Sequence, residues 1–299
     1  MPEGDTIHRA ARTLHTALSG QRVERFESVL AHLTRVDADT PIAGRVIERV
    51  EARGKHLLMW LEGGLVLRTH MRMHGSWHIW PTSATRIHQL RLARDSISLP
   101  RFAGRSSRGK WQRRHDIRIV IETASYVAAA IAVPVAEFVD AATIDREGPV
   151  AELGPDLLSD TFDAADAVAR IQARGDAEIA DALLDQRAIA GIGNVFKSEI
   201  LFAARVSPFT PVRALAAEQL ARIVAIAERQ MRANVGDADT VAAAGGRRTT
   251  NRLDPTARLW VYGRSGLPCR RCGSAIQRAR QGPDARSTYW CERCQPRVA

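Results

Sequence analysis

Four cysteines constrain the fold of this 299-residue chain most strongly, because all of them lie within its last 31 residues. They form two Cys-x-x-Cys pairs, Cys269 with Cys272 and Cys291 with Cys294, which are separated by 18 residues. This spacing suits two β-hairpin knuckles that converge on one tetrahedral Zn2+ ion. Two disulfides are the alternative, which a reducing cytosol disfavours. Since four thiolates leave no open coordination position for water, we predict one structural zinc ion that takes no part in chemistry.

The basic residues are segregated along the chain. Lys and Arg total 43 against 33 Asp and Glu, which gives a formal net charge of +10. Residues 246–299 hold twelve arginines against three acidic residues, and residues 86–114 hold nine basic residues against one acidic residue. This distribution favours a polyanionic partner whose binding weakens with salt. An Arg-rich surface without a partner would explain the excess of arginine better than it explains the segregation.

The first half of the chain has a helix followed by β patterns. Apolar residues recur at helical spacing from residue 7 to residue 18, which predicts a helix that begins at Gly4 or Asp5 and stops at Gly20. Strands are predicted within residues 45–52, 55–62, 65–71, 117–122 and 126–133, with a hairpin turn at Gly63–Gly64. The Arg-, Ser- and Gly-rich stretch at 82–114 is predicted to be a flexible loop.

From about residue 150 the hydrophobic pattern becomes helical. Helices are predicted within residues 163–174, 176–187, 194–205 and 216–235, after an acidic, proline-bearing linker at 145–155. The predicted division is therefore a β-rich domain at 1–135, a helical domain at 150–245 and a zinc module at 246–299.

Two glycines punctuate the helical region in the segment LLDQRAIAGIGNVF, residues 183–196. The pattern predicts a helix that ends near Arg187, a tight turn at Gly191 and Gly193, and a second helix capped by Asn194. Exposed backbone N–H groups at the start of that second helix suit a phosphate oxygen. A helical hairpin that only packs a core is the alternative.

No apolar run approaches the ~20 residues that a membrane span needs. The N-terminus, MPEGDTIHRA, is polar and has no apolar segment typical of a signal peptide. We therefore expect a cytoplasmic protein with no membrane partner.

Four motifs, taken together, resemble one known family. They are MPEG at residues 1–4, RGKHLL at 53–58, LLDQRAIAGIGNVFKSE at 183–199 and the terminal Cys-x-x-Cys pairs. In this order and spacing the chain resembles the formamidopyrimidine-DNA glycosylase and endonuclease VIII family over nearly its whole length. The resemblance implies an α+β multidomain fold: an N-terminal helix with a β-sandwich domain, a helix-two-turns-helix domain and a C-terminal β-hairpin zinc finger. It also implies base-excision repair, in which an oxidised base is removed from DNA and the abasic strand is cut.

The resemblance assigns catalytic roles to four residues. After removal of Met1, Pro2 would be the amine nucleophile, and Glu3 would shuttle protons during opening of the sugar ring. Lys55 would contact DNA phosphate and assist as an acid, and Arg286 would grip the phosphates that flank the lesion. Taken singly, Pro2 and Glu3 are also ordinary residues at a helix start, and Lys55 and Arg286 are ordinary surface charges.

The resemblance also assigns four DNA-binding residues. Asn194 would bind the phosphate region, and Met73, with Arg72 or His74 sharing the role, would enter the gap that a flipped nucleotide leaves. A core methionine is the alternative for Met73. The implied partner is damaged DNA, most simply a duplex with one flipped nucleotide, bound by a monomer associated with the nucleoid.

Two departures from the family pattern bear on the substrate. Thr6 stands where the family usually has a second glutamate, so position 6 of this chain has no carboxylate. The purine-directed branch usually carries an Arg-Arg-Phe loop late in its β domain, and none can be placed between Ile117 and Val133. The glycine after Glu3 and the missing loop favour the endonuclease VIII side and oxidised pyrimidines.

Three other functions remain open at this level. The first is a glycosylase selective for oxidised purines or for single strands. The second is a catalytically silent zinc-containing DNA-binding protein. The third is an RNA-binding zinc-ribbon protein, which would leave Pro2, Glu3 and Lys55 unexplained.

Overall fold

The computed structural model describes residues 2–84, 116–236, 246–250, 252 and 254–297. It divides into two compact units. The first comprises Met1–Pro2 and Thr6–Ala151, and the second comprises Glu3–Asp5 and Glu152–Ala299. The basic stretch at 86–114, and with it most of the predicted loop, lies outside the described residues.

Eight strands of the first unit, within the described residues, form two antiparallel four-stranded sheets. One sheet has the order β1-β6-β7-β5 and the other the order β2-β3-β4-β8. The strands are β1 (Val23–Ser28), β2 (Ile47–Arg53), β3 (His56–Leu61), β4 (Leu65–His70), β5 (Ser76–Pro81), β6 (Ile117–Thr123), β7 (Tyr126–Ile131) and β8 (Val135–Asp140). Among the described residues, the α-helices of this unit are α1 (Gly4–Leu18), whose first two residues belong to the second unit, α2 (Ala31–Asp39) and the single turn α3 (Gly148–Ala151).

One apolar core joins the two sheets and α1. Leu57 and Met59 of one sheet and Ile119 and Ile121 of the other belong to it, as does the inward stripe of α1 that begins at Ile7. The apolar residues of that stripe are at most 2% exposed, which confirms the predicted first helix. This burial of a helical face against paired sheets supplies the main stabilising free energy of the unit.

The predicted strands β2, β3, β4, β6 and β7 are confirmed, and so is the turn between β3 and β4. Three residues, 62–64, separate the paired Leu61 and Leu65, and Gly63 and Gly64 both have positive φ, +85° and +76°, which glycine adopts without steric cost. Strands β1, β5 and β8 were not predicted. Their burial alternates irregularly, so that a period of two is not visible in the sequence.

The second unit contains four helices within the described residues: α4 (Ala164–Gln172), α5 (Ile179–Ala182), α6 (Asn194–Ala204) and α7 (Ala217–Ala233). Their buried apolar residues form one core, to which Ile171, Phe196, Ile223 and Met231 contribute. A hairpin of β9 (Gln277–Gln281) and β10 (Arg286–Trp290) follows near the C-terminus. None of the helices in the described part of the chain is long and apolar enough to cross a membrane.

One predicted helix is much shorter than expected. The pattern at 176–187 predicts a helix that ends near Arg187, but α5 is a single turn that ends at Ala182. The reason is local competition for the backbone: the Asp185 carboxylate accepts a hydrogen bond from the Arg187 N–H at 2.9 Å. The Gly154 N–H donates a hydrogen bond to the Gln186 carbonyl at 2.9 Å. Both bonds favour turns over a continued helix.

Candidate active site and zinc site

The Glu3 carboxylate is buried at the N-terminus of α6. Its Oε1 accepts a hydrogen bond from the Val195 N–H at 2.7 Å and its Oε2 accepts one from the Phe196 N–H at 3.2 Å. The side chain is 1% exposed. These two amides are among those that a helix leaves unpaired at its start, and the helix dipole favours an anion there. The geometry therefore fixes the orientation of both Glu3 oxygens.

Glycine at position 193 makes this approach possible. A Cβ on Gly193 would overlap the side chain of Glu3. Gly191, two residues earlier, has a φ of +102° and its carbonyl accepts the Gly4 N–H at 2.9 Å. The two glycines that the sequence marked as a tight turn thus seat the segment Glu3–Asp5 against the start of α6.

The structure corrects the prediction that Asn194 caps α6. Gly193 occupies the cap position, and Asn194 is the first helical residue. The Asn194 side chain instead interacts with the Tyr262 hydroxyl and opposes the rise that burial causes in the pKa of Tyr262. The backbone N–H groups at the start of α6, which the sequence analysis predicts to bind a phosphate oxygen, donate to Glu3. A buried carboxylate brought by the tertiary fold replaces the local cap, which is why no local pattern predicted it.

Arg247 contacts both carboxylates of the N-terminal segment, and sequence reasoning missed it. Its guanidinium donates bidentately to Asp5, through Nε at 3.0 Å and through Nη2, and its Nη1 lies 3.6 Å from Glu3 Oε1. Burial disfavours the charged guanidinium, but the attraction of Glu3 and Asp5 outweighs burial and raises the pKa of Arg247. Only its place in an Arg-rich stretch marked this residue in the sequence.

Lys197 is a second functional candidate that sequence reasoning missed. This side chain on α6 is fully buried and donates from Nζ to Thr288 Oγ1 at 2.7 Å. Burial lowers its pKa to about 8, although the nearby carboxylates of Asp181 and Glu3 oppose the shift. The charge of Arg286 lowers the same pKa further, so the two cations lie close enough to interact.

Arg286 begins strand β10, two residues before Thr288. Its side chain is 40% exposed and forms a 3.0 Å ion pair with Asp284. Side chains two apart on a strand share a face, so Arg286 and Thr288 lie on the same face of the hairpin. The predicted phosphate-binding role of Arg286 stays a prediction.

The four cysteines converge as the spacing predicts. Their Sγ atoms all lie within 4.8 Å of one another, with 3.4 Å between Cys272 and Cys291 and 3.9 Å between Cys269 and Cys294. A tetrahedral ion with Zn–S bonds of about 2.3 Å sets its sulfur ligands about 3.8 Å apart. The donor set and the spacing therefore fit one Zn2+ ion, with Phe202, Val261 and Ile276 as its apolar surroundings.

In the first unit, Lys55 lies with Gly54 in the turn between β2 and β3 and is half-buried. The strand residue beside it, His56, pairs with His70 across β3 and β4, with ring centroids 4.9 Å apart. Arg68 Nη1 contacts His56 Nδ1 at 2.9 Å, and Arg68 forms an ion pair of 2.6 Å with Glu137. Burial lowers the pKa of His56 to about 3 and that of His70 to about 4, so both rings are neutral near pH 7.

The turn after β4 presents three of the predicted DNA-binding side chains. Met71 is buried at its start, and Arg72, Met73 and His74 are exposed, with Met73 45% exposed. Arg72 has a φ of +50°, and its N–H donates to His70 Nδ1 at 3.1 Å. The alternative that Met73 is a core methionine is therefore wrong. Its role as a side chain that enters the gap left by a flipped nucleotide stays a prediction.

Comparison with known proteins covers nearly the whole chain. Residues 1–118 match the family model of the formamidopyrimidine-DNA glycosylase N-terminal domain, residues 153–244 its H2TH domain, and residues 266–297 the zinc finger found in FPG and IleRS. A probable endonuclease 8 2 of Streptomyces coelicolor is 37% identical, over 99% of this chain and 94% of the relative. The chain belongs to the formamidopyrimidine-DNA glycosylase and endonuclease VIII family.

Other relatives place the chain within this family. The DNA-(apurinic or apyrimidinic site) lyase Nei2 of Mycolicibacterium smegmatis is 35% identical over 99% of both chains. These names identify the chain as a DNA glycosylase with lyase activity on the endonuclease VIII-like side of the family. The predicted family and enzyme class are thereby confirmed.

The solved structures confirm the fold. Formamidopyrimidine-DNA glycosylase of Lactococcus lactis, bound to DNA with an abasic site, superposes with a TM-score of 0.75, at 20% identity over 99% of this chain and 100% of that one. The β-sandwich, the helix-two-turns-helix domain and the β-hairpin zinc finger of the family are all present. The predicted structural zinc ion is confirmed by the match of the zinc-finger family and the four clustered thiols.

Proposed function

We propose that the chain removes oxidised pyrimidines from DNA through an iminium formed on Pro2 and then cuts the abasic strand by elimination. The observation that carries this proposal is Glu3. Its carboxylate directly follows the proline in the chain and is buried, oriented by two helix amides and within 3.6 Å of Arg247. A carboxylate held in this way next to an amine nucleophile suits proton transfer during the reaction.

Loss of Met1 would turn Pro2 into a secondary amine, and a free α-amine has an ordinary pKa of about 7.7 to 8.0. In the first step the amine nitrogen attacks C1′, and the glycosidic electron pair leaves with the base. Opening of the sugar ring, with a proton delivered to O4′, then forms an iminium between the proline nitrogen and C1′. We assign this transfer to Glu3, whose carboxylate would accept the proton that the proline nitrogen loses after its attack and pass it to O4′.

The iminium then acts as an electron sink. A proton passes from C2′ to water, and the electron pair of that C–H bond forms the C1′–C2′ double bond of an enamine. The enamine then expels the 3′ phosphate: the C3′–O bond breaks, a C2′–C3′ double bond forms and the iminium is restored, so the strand is cut. Lys55 and Arg286 would bind and neutralise the flanking phosphates, and Asn194 would support the same phosphate region. Zinc supplies no step, because its four thiolate positions are filled by the protein.

The preference for pyrimidines has its own support. No Arg-Arg-Phe segment of the purine-directed branch occurs between Ile117 and Val133, an interval that strands β6 and β7 largely fill. The relatives named endonuclease 8 point the same way. The proposal also includes a duplex substrate with one flipped nucleotide. The exposed Met73 side chain would fill the gap that this nucleotide leaves, and the protein would bind as a monomer.

Borohydride trapping tests it, after mass spectrometry has established that Met1 is absent. Oligonucleotide duplexes should carry an oxidised pyrimidine, an oxidised purine or a preformed abasic site. We expect adducts at Pro2 with the pyrimidine lesion and the abasic site, because borohydride reduces only the transient iminium. Pro2→Gly should retain DNA affinity and lose most trapping.

The outcomes separate the alternatives. Trapping on the abasic site alone would support the lyase and contradict the proposed base preference. Stronger trapping with the purine lesion would reverse that preference. Tight, salt-sensitive binding without any adduct would favour a catalytically silent DNA-binding protein.

A further inference from the structure

We propose that Arg247 is a positioning residue for the reaction at Pro2 and Glu3, and that it acts through Asp5 as well as through Glu3. The inference rests on the proposed function and extends it to a part of the chain that the catalytic motifs do not include. Its starting point is that one guanidinium bridges two carboxylates of the N-terminal segment, each at most 1% exposed.

The contacts make Arg247 a two-sided clamp. Two guanidinium nitrogens donate to the two oxygens of Asp5, and the third lies 3.6 Å from Glu3 Oε1. A planar fork of this kind fixes the direction of a carboxylate as well as its charge, which a lysine ammonium does not do. Since Oε1 also accepts the Val195 N–H, one oxygen of Glu3 is held from two sides.

The charges require such a partner. Glu3 and Asp5 are two carboxylates that lie two residues apart and are both removed from water, and burial of like charges is costly without compensation. Arg247 faces both of them, Lys197 interacts with Glu3, and the Tyr262 hydroxyl interacts with Glu3 and Arg247. Arginine keeps its charge at every working pH, so this compensation does not titrate away.

Arg247 is itself held by regular elements. Its guanidinium carbon lies 4.7 Å from the ring centroid of Phe196, the residue whose N–H binds Glu3. The next residue, Arg248, exchanges two 2.7 Å hydrogen bonds through its backbone with the Asn234 side chain at the end of α7. Thr249 donates to the buried carboxylate of Glu199 on α6. The clamp is therefore rigid enough to transmit the positions of α6 and α7 to residues 3–5.

The consequence for chemistry follows from chain connectivity. Glu3 precedes the clamped Asp5 by two residues and follows Pro2 by one peptide bond, so anchors on Glu3, Gly4 and Asp5 restrict where the nucleophile can lie. Misplacement of reacting groups by about 1 Å lowers a rate by about 100-fold. Thr6 lacks the carboxylate of the family's second glutamate, and the carboxylate that this segment does carry, on Asp5, is bound by Arg247.

The test compares Arg247→Gln, Arg247→Lys, Asp5→Asn and the double variant Asp5→Asn/Arg247→Gln with the wild-type chain. Arg222→Gln, which removes one exposed positive charge from α7, is the matched control. Single-turnover borohydride trapping on a preformed abasic duplex is measured at saturating protein, and the Kd for the same duplex is measured without borohydride. Zinc content and the thermal transition report on folding.

We expect Arg247→Gln to lower the trapping rate at saturation by about 10- to 100-fold, with a change in Kd no larger than that of Arg222→Gln. Arg247→Lys should restore part of the rate, because it restores the charge but not the fork. The double variant removes the Asp5 charge together with the guanidinium, and Glu3 keeps its two helix amides, so it should fold where Arg247→Gln does not and should still trap slowly.

Two results would overturn the inference. One is a wild-type trapping rate at saturation in the double variant or in Arg247→Gln. The other is a loss confined to Kd and equalled by Arg222→Gln. Both differ from failure of the proposed function, in which the wild-type chain itself forms no adduct and this inference falls with it.

Discussion

His56 and His70 show how the fold sets the protonation of single residues. Both imidazoles are neutral near pH 7 because burial, together with the positive charges of Arg68 and Arg72, opposes protonation. His70 uses its neutral Nδ1 to accept the Arg72 N–H, which supports the turn that carries Met73. The pair therefore links the Lys55 turn to the exposed turn at Met73 within the first unit.

The stability of the first unit should fall as the pH is lowered below about 6.5. In the unfolded chain histidine has a pKa near 6.5, whereas the folded pKa is about 3 for His56 and about 4 for His70. The unfolded state therefore binds more protons between pH 6.5 and 4, and stability is lost across that window as the pH falls.

His56→Gln tests this assignment, since glutamine does not titrate and can still accept from Arg68. Between pH 6.5 and 5 the variant should lose less stability than the wild-type chain, by on the order of 2 kcal/mol. Denaturant unfolding measures the difference, and data at pH 7.5 isolate the packing cost of the substitution. Parallel pH profiles for the two proteins would contradict the lowered pKa of His56.

At the scale of elements, a buried hydrogen-bond chain ties α6 to the hairpin of the zinc module. Lys197 Nζ donates to Thr288 Oγ1, and that hydroxyl donates to Gln281 Oε1, each at 2.7 Å. Gln281 in turn donates to Glu178 at 2.6 Å and to the Pro208 carbonyl at 3.0 Å. These bonds hold strand β10, which carries Arg286, in a defined position on helix α6, whose backbone N–H groups orient Glu3.

Thr288→Val should destabilise this junction by about 1–3 kcal/mol, because it leaves the buried Lys197 ammonium without that acceptor. Thr288→Ser keeps the hydroxyl and is the matched control. Equilibrium unfolding in denaturant measures both variants. If valine and serine at this position cost the same, the hydroxyl has no special role and the chain of bonds is not stabilising.

At the scale of the whole molecule, the positive net charge should control the affinity for DNA and its dependence on salt. The formal net charge is +10, and the terminal region alone carries twelve arginines. Neutralisation of DNA phosphates releases counterions, so affinity should fall linearly on a double-logarithmic plot against salt, with one phosphate contact contributing about 0.9 to the slope.

Arg286→Ala should weaken DNA binding and reduce the magnitude of that slope by about 1, since Arg286 is proposed to bind phosphate. The measurement is a titration of duplex DNA at several salt concentrations, with Arg222→Gln as the charge control. A salt slope unchanged from wild type, with a purely constant loss of affinity, would mean that Arg286 does not contact phosphate.

Local sequence patterns were sufficient where a single element or a short spacing carries the information. The apolar period of α1, the Gly63–Gly64 hairpin and the paired cysteines each depend on neighbours within one element or one module. The motif that contains Gly193 can also be identified from local sequence alone. The sequence predicts a tight turn at this glycine, and in the structure the glycine also makes room for the Glu3 side chain. Such features survive in a single sequence because local geometry alone requires them.

The active-site clamp was decided by tertiary structure. Asp5 and Arg247 lie 242 positions apart, and neither stands in a pattern that points to the other. Asn194 was expected to cap α6 because caps are usually local, but burial of Glu3 against the same amides satisfied them from a distant segment. The sequence by itself thus determined the family, the zinc ligands and most elements, whereas the partners of the buried charges follow from desolvation, which pairs whatever side chains the fold brings together.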